Sequence, residues 1–250
     1  MSSSKPQLIV ALDVETFDEA RILIDSLSPA VDIFKVGSQL FTACGPVIVR
    51  HILAKGKNVF LDLKYHDIPH TVANAVSAAV NLNRAVATVL DQEGKKIEDL
   101  GSLFMLTIHI QGGAEMCKAA VEAASKTAQS MGVTKPLIAG ITVLTSEEKE
   151  DNIRSLVLER AQLAKACGLD GVVASSQEAA FLRREFGDSF VIVTPGIRPS
   201  GADAHDQKRV ATPKEAARAG SDYLVVGRPV VKTNNPLEAV VKILEEIKNT

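Results

Sequence analysis

Cysteine is scarce in this sequence of 250 residues, and basic residues are not in excess. The three cysteines, Cys44, Cys117 and Cys167, stand far apart and form no C-x-x-C pair, which argues against a disulfide scaffold and a cysteine zinc site. Lysine and arginine total 28 against 30 aspartate and glutamate, so the net charge is −2. This balance argues against a general nucleic-acid-binding protein, which usually carries a basic excess.

Long apolar runs and targeting signals are also missing. No stretch approaches the roughly 20 apolar residues that a transmembrane helix needs. The first residues, MSSSKPQ, lack the basic segment and the apolar core of a secretory signal. We therefore expect a cytoplasmic protein with no membrane partner, whose thiols stay reduced.

The sequence does contain a regular alternation of short, β-branched apolar runs and amphipathic segments. Eight runs are strand candidates: Gln7–Val14, Ile33–Gly37, Asn58–Lys64, Leu103–Ile110, Leu137–Leu144, Gly171–Ser175, Phe190–Thr194 and Tyr223–Gly227. A helix candidate follows each strand candidate, at 16–27, 43–55, 68–83, 113–131, 152–167, 176–186, 213–219 and 236–248.

This alternation predicts a single-domain α/β fold of the (β/α)8 TIM-barrel class over residues 1–250. Near-continuous apolar runs suit parallel strands that are buried on both faces, and eight β–α units in about 250 residues are typical of the barrel. A doubly wound open sheet is the alternative. Its glycine-rich turn after the first strand is absent, because Asp13, Val14 and Glu15 stand in that place.

One segment, Asn81–Gly101, is more polar than its surroundings. Its core, 84–101, is interpreted as an insert between the third helix and the fourth strand. In a barrel such a connection lies at the bottom, away from the catalytic face. We therefore expect a structural or lineage-specific insert rather than a functional one.

Charged residues stand where the first three predicted strands end. Active-site residues of barrels come from the carboxyl ends of the strands, which makes Asp13, Lys35, Asp62 and Lys64 candidates. Asp62 and Lys64 are two residues apart in a strand and should point to the same face. We expect a row of alternating charges at the barrel mouth, which keeps each lysine protonated and each carboxylate ionised. A structural ion pair inside the barrel is the alternative.

The last two strand ends indicate a phosphate site. Barrels often bind phosphate with the loops after strands seven and eight, and here these loops carry Arg198 and the pair Gly227 and Arg228. Arginine can bind phosphate through two parallel hydrogen bonds. Solvated surface arginines are the alternative. No metal site is predicted, because His66 and His70 flank a proline and have no obvious third ligand.

The segment D-L-K-Y-H-D-I-P-H-T (62–71) resembles the orotidine 5′-monophosphate decarboxylase family. Its D-x-K-x-x-D-I-P-x-T signature is matched by Asp62, Lys64, Asp67, Ile68, Pro69 and Thr71. Further matches run in family order: A-L-D at 11–13, K-V-G at 35–37, L-T-S at 144–146, P-G-I-R at 195–198, D-Q-K-R at 206–209 and S-D-Y-L-V-V-G-R at 221–228. The resemblance covers almost the whole chain except the insert.

The resemblance implies decarboxylation of orotidine 5′-monophosphate to uridine 5′-monophosphate and CO₂, in pyrimidine biosynthesis, with no metal and no organic cofactor. Lys64 would protonate the C6 carbanion and Asp62 would stand beside the departing carboxylate. Lys35 and Asp13 would hold the ribose hydroxyls. The phosphate would be bound by Arg198, Gln207, Gly227 and Arg228, and the pyrimidine edge by Thr145 and Ser146.

The resemblance also implies a homodimer with shared active sites. Asp67, with Ile68 and Thr71, would reach from each chain into the site of its neighbour. The nucleotide would be the only small-molecule partner. Three alternatives remain: a phosphosugar lyase of the 3-keto-gulonate-phosphate decarboxylase or hexulose-phosphate synthase type, an aldolase or isomerase barrel with Lys64 as a Schiff-base lysine, and a non-catalytic nucleotide-binding barrel.

Overall fold

The protein is described by a computed structural model that covers residues 5–83, 100–143, 153–199 and 210–249. The strands are β1 (Gln7–Ala11), β2 (Ile33–Gly37), β3 (Asn58–Tyr65), β4 (Leu103–His109), β5 (Leu137–Ile141), β6 (Gly171–Val173), β7 (Val191–Thr194) and β8 (Tyr223–Val226). They pair in parallel in sequence order, and β8 closes on β1. The predicted (β/α)8 barrel is therefore confirmed, and the open-sheet alternative is wrong.

Helices connect the strands along the outside of the barrel. They are α1 (Phe17–Leu27), α2 (Ser38–Cys44), α3 (Pro46–Ala54), α4 (Pro69–Val80), α5 (Gly113–Met131), α6 (Ile153–Ala166), α7 (Ser176–Phe186), α8 (Pro213–Arg218), α9 (Arg228–Val231) and α10 (Pro236–Lys248). Several begin with side-chain caps that the sequence encodes locally. Thr16 and Glu19 form a capping box at α1, and Thr212 and Glu215 form one at α8.

The helix predicted over 43–55 differs most from the observed structure. Two helices, α2 and α3, occupy this region, and α2 begins already at Ser38. Gly45 separates them with a φ of 61°, and Pro46 opens α3 in the first turn, where its missing N–H costs nothing. The short helix α9, directly after β8, was not predicted.

Two apolar cores hold the barrel together. The larger one lies between the strands and the surrounding helices. The smaller one fills the barrel interior with side chains such as Ile9, Ile33, Phe60, Met105 and Val193. Because the interior is filled by apolar side chains that exclude water, the polar side chains of the site lie at one end of the barrel.

The predicted insert falls mostly outside the described residues. Of 84–101, the structure describes Leu100, which packs against the outer core, and Gly101, whose N–H donates to the carbonyl of Leu53 at 3.0 Å. The insert therefore stays a prediction. Among the described residues, no helix is long and apolar enough to cross a membrane.

Gly171 permits the close approach of β6 and β7, and its substitution tests the barrel packing. A Cβ at this position would lie 2.1 Å from the carbonyl oxygen of Val191, which is backbone and cannot move aside alone. We expect Gly171→Ala to lower the free energy of unfolding by about 3 kcal/mol, measured by urea denaturation.

Gly132→Ala is the matched control for this substitution. A Cβ there meets nothing within 4 Å, so only the cost of the left-handed backbone at φ 65° and ψ 30°, about 1 kcal/mol, is expected. Equal losses for both variants would contradict the close approach at Gly171.

Candidate active site

Four charged side chains form a row at the carboxyl end of β1, β2 and β3. Lys35 Nζ lies 3.2 Å from Asp13 Oδ1 and 3.7 Å from Asp62 Oδ2, and Lys64 Nζ lies 2.7 Å from the same Asp62 oxygen. The predicted alternation of charges is therefore present, in the order Asp13, Lys35, Asp62, Lys64. We call these four residues the charge row.

The centre of the charge row is buried. Lys35 is 9% exposed and Asp62 is 8% exposed, whereas the Asp13 side chain is about half exposed. Burial by itself raises the pKa of Asp62, but the charges of Lys35 and Lys64 and the hydrogen bonds from Lys64 and Thr107 outweigh it. The pKa of Asp62 therefore lies below its ordinary value, and its carboxylate is ionised at neutral pH.

A bulge in β3 puts Lys64 beside Asp62. Leu61 pairs with Leu106 and Tyr65 pairs with Ile108, so four steps along β3 match only two steps along β4. Lys64 stands in this bulge with a φ of 51°, and no other described residue except glycine has a positive φ. Such a conformation costs about 1–2 kcal/mol for a residue with a Cβ. The two side chains meet as predicted, but through this irregular backbone and not through simple strand alternation.

Thr107 on β4 is bound to both residues. Its hydroxyl donates to Asp62 Oδ1 at 2.9 Å, and it accepts the backbone N–H of Lys64 at 2.9 Å. Thr107 is fully buried, so these hydrogen bonds are shielded from water. Thr107 was not among the predicted site residues, because a threonine inside an apolar run looks like an ordinary strand residue.

The charge row lines one side of a cavity of about 220 Å³. Apolar side chains on or just after the later strands also line the cavity, namely Ile141, Val143, Val173, Val193 and Val225. The lysines and carboxylates of the cavity thus come from the side of β1–β3, whereas β5–β8 contribute valine and isoleucine side chains.

Three of the four predicted phosphate-binding residues lie on this same cavity. Arg198, Gly227 and Arg228 all line it, together with Pro195 and Gly196. Arg198 is 6% exposed, and its backbone N–H donates to the carbonyl of Ala211 at 2.9 Å. The alternative of two solvated surface arginines is therefore wrong for Arg198. Two positive side chains and the charge row stand around one space large enough for a small molecule.

Two glycines make room for the charge row. A Cβ on Gly37 would lie 2.9 Å from Lys35 Nζ, and a Cβ on Gly227 would lie 3.0 Å from Asp13 Oδ2. The motif K-V-G contains Gly37, but the sequence alone predicts no separate role for this glycine. Larger side chains at these positions would displace the charged groups.

Three predicted residues are absent from the lining of the cavity of their own chain. Asp67, Ile68 and Thr71 are exposed, and Ile68 is 66% exposed despite its apolar side chain. The carboxylate of Asp67 accepts the N–H of Ile68 at 2.6 Å. They follow β3 directly and stand at the rim of the barrel mouth.

Thr145, Ser146 and Gln207 lie outside the described residues, so their predicted contacts stay predictions. Within the described ranges, no group of three histidine, cysteine, aspartate or glutamate side chains is placed to hold a metal ion. The ring of His66 packs against that of His109, with the ring centres 5.4 Å apart, and His70 lies 3.1 Å from the Asn74 amide.

Comparison with known proteins assigns this arrangement to a family. A family model described as orotidine 5′-phosphate decarboxylase / HUMPS matches residues 6–243. The chain belongs to this family. This family model includes both the orotidine 5′-phosphate decarboxylases and the HUMPS group, so the match by itself does not distinguish between these two groups.

Curated relatives from the family carry the decarboxylase name. The orotidine 5′-phosphate decarboxylase of Geobacter sp. (strain M21) is 44% identical over 249 residues, covering 96% of this chain and 95% of that protein. The one from Coxiella burnetii (strain RSA 331 / Henzerling II) is 43% identical over 257 residues, covering 99% of each. The resemblance seen in the motifs therefore extends along the whole family domain.

Solved structures agree in fold. The crystal structure of orotidine 5′-phosphate decarboxylase from Lactobacillus acidophilus has a TM-score of 0.78 at 32% identity, covering 97% of this chain and 99% of that one. An uncharacterized conserved protein from Geobacillus kaustophilus has a TM-score of 0.76 at 30% identity, covering 96% and 99%. This chain thus has the same barrel fold as the solved structure of a named orotidine 5′-phosphate decarboxylase.

The low pKa of Asp62 makes stability depend on pH. Its stabilising effect is fully present above the unfolded-state pKa, about 3.9, and is lost as the pH falls through the lower folded-state pKa. Asp62→Asn removes a buried partner of two lysines and should lower the free energy of unfolding at pH 7 by about 3 kcal/mol.

Urea denaturation between pH 2 and pH 7 checks this prediction. We expect the difference between wild type and Asp62→Asn to be constant from pH 5 to 7 and to shrink in the acid range. A difference that does not change with pH down to 2 would contradict the assignment of Asp62 as an ionised, lysine-bound carboxylate.

Proposed function

We propose that this protein decarboxylates orotidine 5′-monophosphate to uridine 5′-monophosphate and CO₂, as a carboxy-lyase of pyrimidine biosynthesis. The observation that carries the proposal is the charge row beside a cavity that Arg198 and Arg228 also line, in a chain whose relatives carry this name. The reaction needs groups for two anions: the carboxylate that leaves and the phosphate that stays.

Lys64 supplies the proton in this mechanism. The bond between C6 and the carboxyl carbon breaks, its electron pair stays on C6, and CO₂ leaves. The ammonium of Lys64 then transfers a proton to C6 and regains one from solvent. The short contact between Lys64 and Asp62 holds the ammonium still, so its positive charge faces the developing carbanion without reorganisation.

Asp62 raises the free energy of the bound substrate, in addition to holding Lys64 in place. A substrate carboxylate bound next to an ionised, buried carboxylate is repelled, and this repulsion disappears when neutral CO₂ departs. Water cannot screen the two charges well, because Asp62 is buried. The binding energy of the remote phosphate can offset this unfavourable contact.

The other predicted residues hold the substrate. Asp13 and Lys35 bind the ribose hydroxyls, and Thr145 and Ser146 bind the pyrimidine edge. The phosphate is bound by Arg198, Gln207, Gly227 and Arg228. The presence of Arg198 and Arg228 on the same cavity as the charge row supports this assignment.

The lysines also argue against the alternative functions. A phosphosugar lyase of the kind considered above binds Mg²⁺, but Lys35 Nζ already occupies the position between Asp13 and Asp62 where such a cation would neutralise both carboxylates. A Schiff-base lysine must present an amine lone pair, whereas Lys64 donates its ammonium proton to Asp62. The proposed mechanism uses neither a metal nor an organic cofactor.

The active unit in this proposal is a homodimer with shared sites. Asp67, Ile68 and Thr71 of each chain contribute to the cavity of the other. The exposure of Ile68 at the barrel rim supports a protein surface as its partner, because a lone apolar side chain gains by burial there. We further propose a cytoplasmic location, in agreement with three free thiols.

Lys64→Ala tests the mechanism. We expect the loss of orotidine 5′-monophosphate absorbance on addition of the purified protein to become undetectable, because the proton donor to C6 is gone. Lys55→Ala is the control, since Lys55 pairs with Asp25 on the outside of the barrel and should leave turnover unchanged. A wild-type protein without turnover would contradict the proposed function.

A mixed dimer tests the shared site. Lys64→Ala and Asp67→Ala chains are each expected to be inactive as homodimers. When they are combined, one of the two sites receives both native side chains, so about half of the wild-type activity per competent dimer should return. No recovery in a mixture that has exchanged subunits would count against the shared site.

A further inference from the structure

We propose that Thr107 is a positioning residue for this reaction: its hydroxyl fixes the left-handed backbone of Lys64 and the carboxylate of Asp62 in one arrangement, and thereby sets where the Lys64 ammonium meets the substrate. The inference rests on the proposed function for its kinetic readout. Thr107 touches neither the cavity nor the reacting atoms in this assignment.

Thr107 lies opposite the bulge in β3. Between the pairs Leu61–Leu106 and Tyr65–Ile108, Thr107 alone faces three residues of β3. The regular ladder of backbone hydrogen bonds cannot continue there, because one residue cannot pair with three. The Thr107 side chain takes over and accepts the N–H of Lys64, the residue with a φ of 51°. The unusual backbone of Lys64 thus depends on a side-chain oxygen.

The two hydrogen bonds of the Thr107 hydroxyl have fixed directions. A threonine hydroxyl has one proton to donate and can accept at the same time. The Lys64 N–H can only donate, so the Thr107 oxygen accepts there and gives its own proton to Asp62 Oδ1. The other oxygen of Asp62 accepts from Lys64 Nζ at 2.7 Å. Backbone, hydroxyl, carboxylate and ammonium therefore close a ring that contains both ends of Lys64.

This ring restricts the reactive lysine more than an ion pair could. An ammonium on a flexible four-carbon side chain can rotate about its carboxylate partner. Here the carboxylate is itself held by Thr107, and the backbone from which the lysine extends is held by the same hydroxyl. A small displacement of a reacting group can lower a rate strongly even where binding is unaffected. Loss of the hydroxyl should therefore affect turnover more than substrate binding.

The test compares Thr107→Val, which keeps the shape but removes the hydroxyl, with Thr107→Ser, which keeps the hydroxyl. We expect Thr107→Val to lower kcat about 10- to 100-fold with a much smaller change in KM. Thr107→Ser should retain most of the wild-type kcat. In the substrate-free protein, the ¹³C signal of the Asp62 carboxyl should titrate at higher pH in Thr107→Val, because a hydrogen bond to the charged form is lost.

Thr194→Val is the matched control. Thr194 is also fully buried, and its hydroxyl shares a hydrogen bond of 2.6 Å with Ser221, away from the charge row. Thr194→Val should lower the stability of the protein without changing kcat or the pH at which Asp62 titrates.

All variants are first compared by their thermal unfolding midpoints. Should Thr107→Val not fold, Thr107→Ala is measured in its place with the same expectation.

The outcomes separate this inference from the proposed function. A wild-type kcat in Thr107→Val, or an Asp62 titration that does not move, would overturn the role of Thr107. Equal loss of kcat in Thr107→Ser and Thr107→Val would also overturn it, because the hydroxyl would not be the cause. A wild-type protein without turnover would refute the decarboxylase function, while the Asp62 titration would still decide the role of the hydroxyl.

Discussion

The ionised carboxylate of Asp62, buried between two ammonium groups, is the interaction on which the rest of the site depends. A buried carboxylate is costly unless charges and hydrogen bonds compensate it, and here Lys35, Lys64 and Thr107 supply that compensation. None of these groups could be removed alone without leaving an unpaired charge or a strained backbone. The charge row is therefore one cooperative unit rather than a set of independent side chains.

The barrel makes this unit possible by providing a rigid frame at its mouth. Asp13, Lys35 and Asp62 come from three adjacent parallel strands or directly after them, so their relative positions follow from the strand register. The apolar core below excludes water and lowers the local dielectric, which strengthens each ion pair. The same strands thus supply both the packed interior and the charged groups of the site.

Much of this structure could be predicted from the sequence, because the signals are local. Apolar runs followed by amphipathic segments indicate the eight β–α units, and charged residues at strand ends indicate the mouth. The bulge at Lys64 could not be predicted, because it arises from the register between β3 and β4, which no run of residues encodes by itself. Thr107 was missed for the same reason: only its position opposite the bulge distinguishes it from other strand threonines. The division at Gly45 did have a signal, since glycine followed by proline marks a turn or a helix boundary.

The cavity takes its lysines and carboxylates from the side of β1–β3 and valine and isoleucine side chains from β5–β8, and this has an evolutionary consequence. Mutations of those apolar side chains can reshape the space that a ligand fills while the charge row stays intact. A barrel organised in this way can accept new ligands through its later strands while it keeps the charged groups of its first three. Divergence within such a lineage should therefore accumulate unevenly around the barrel, with the first three strands changing least.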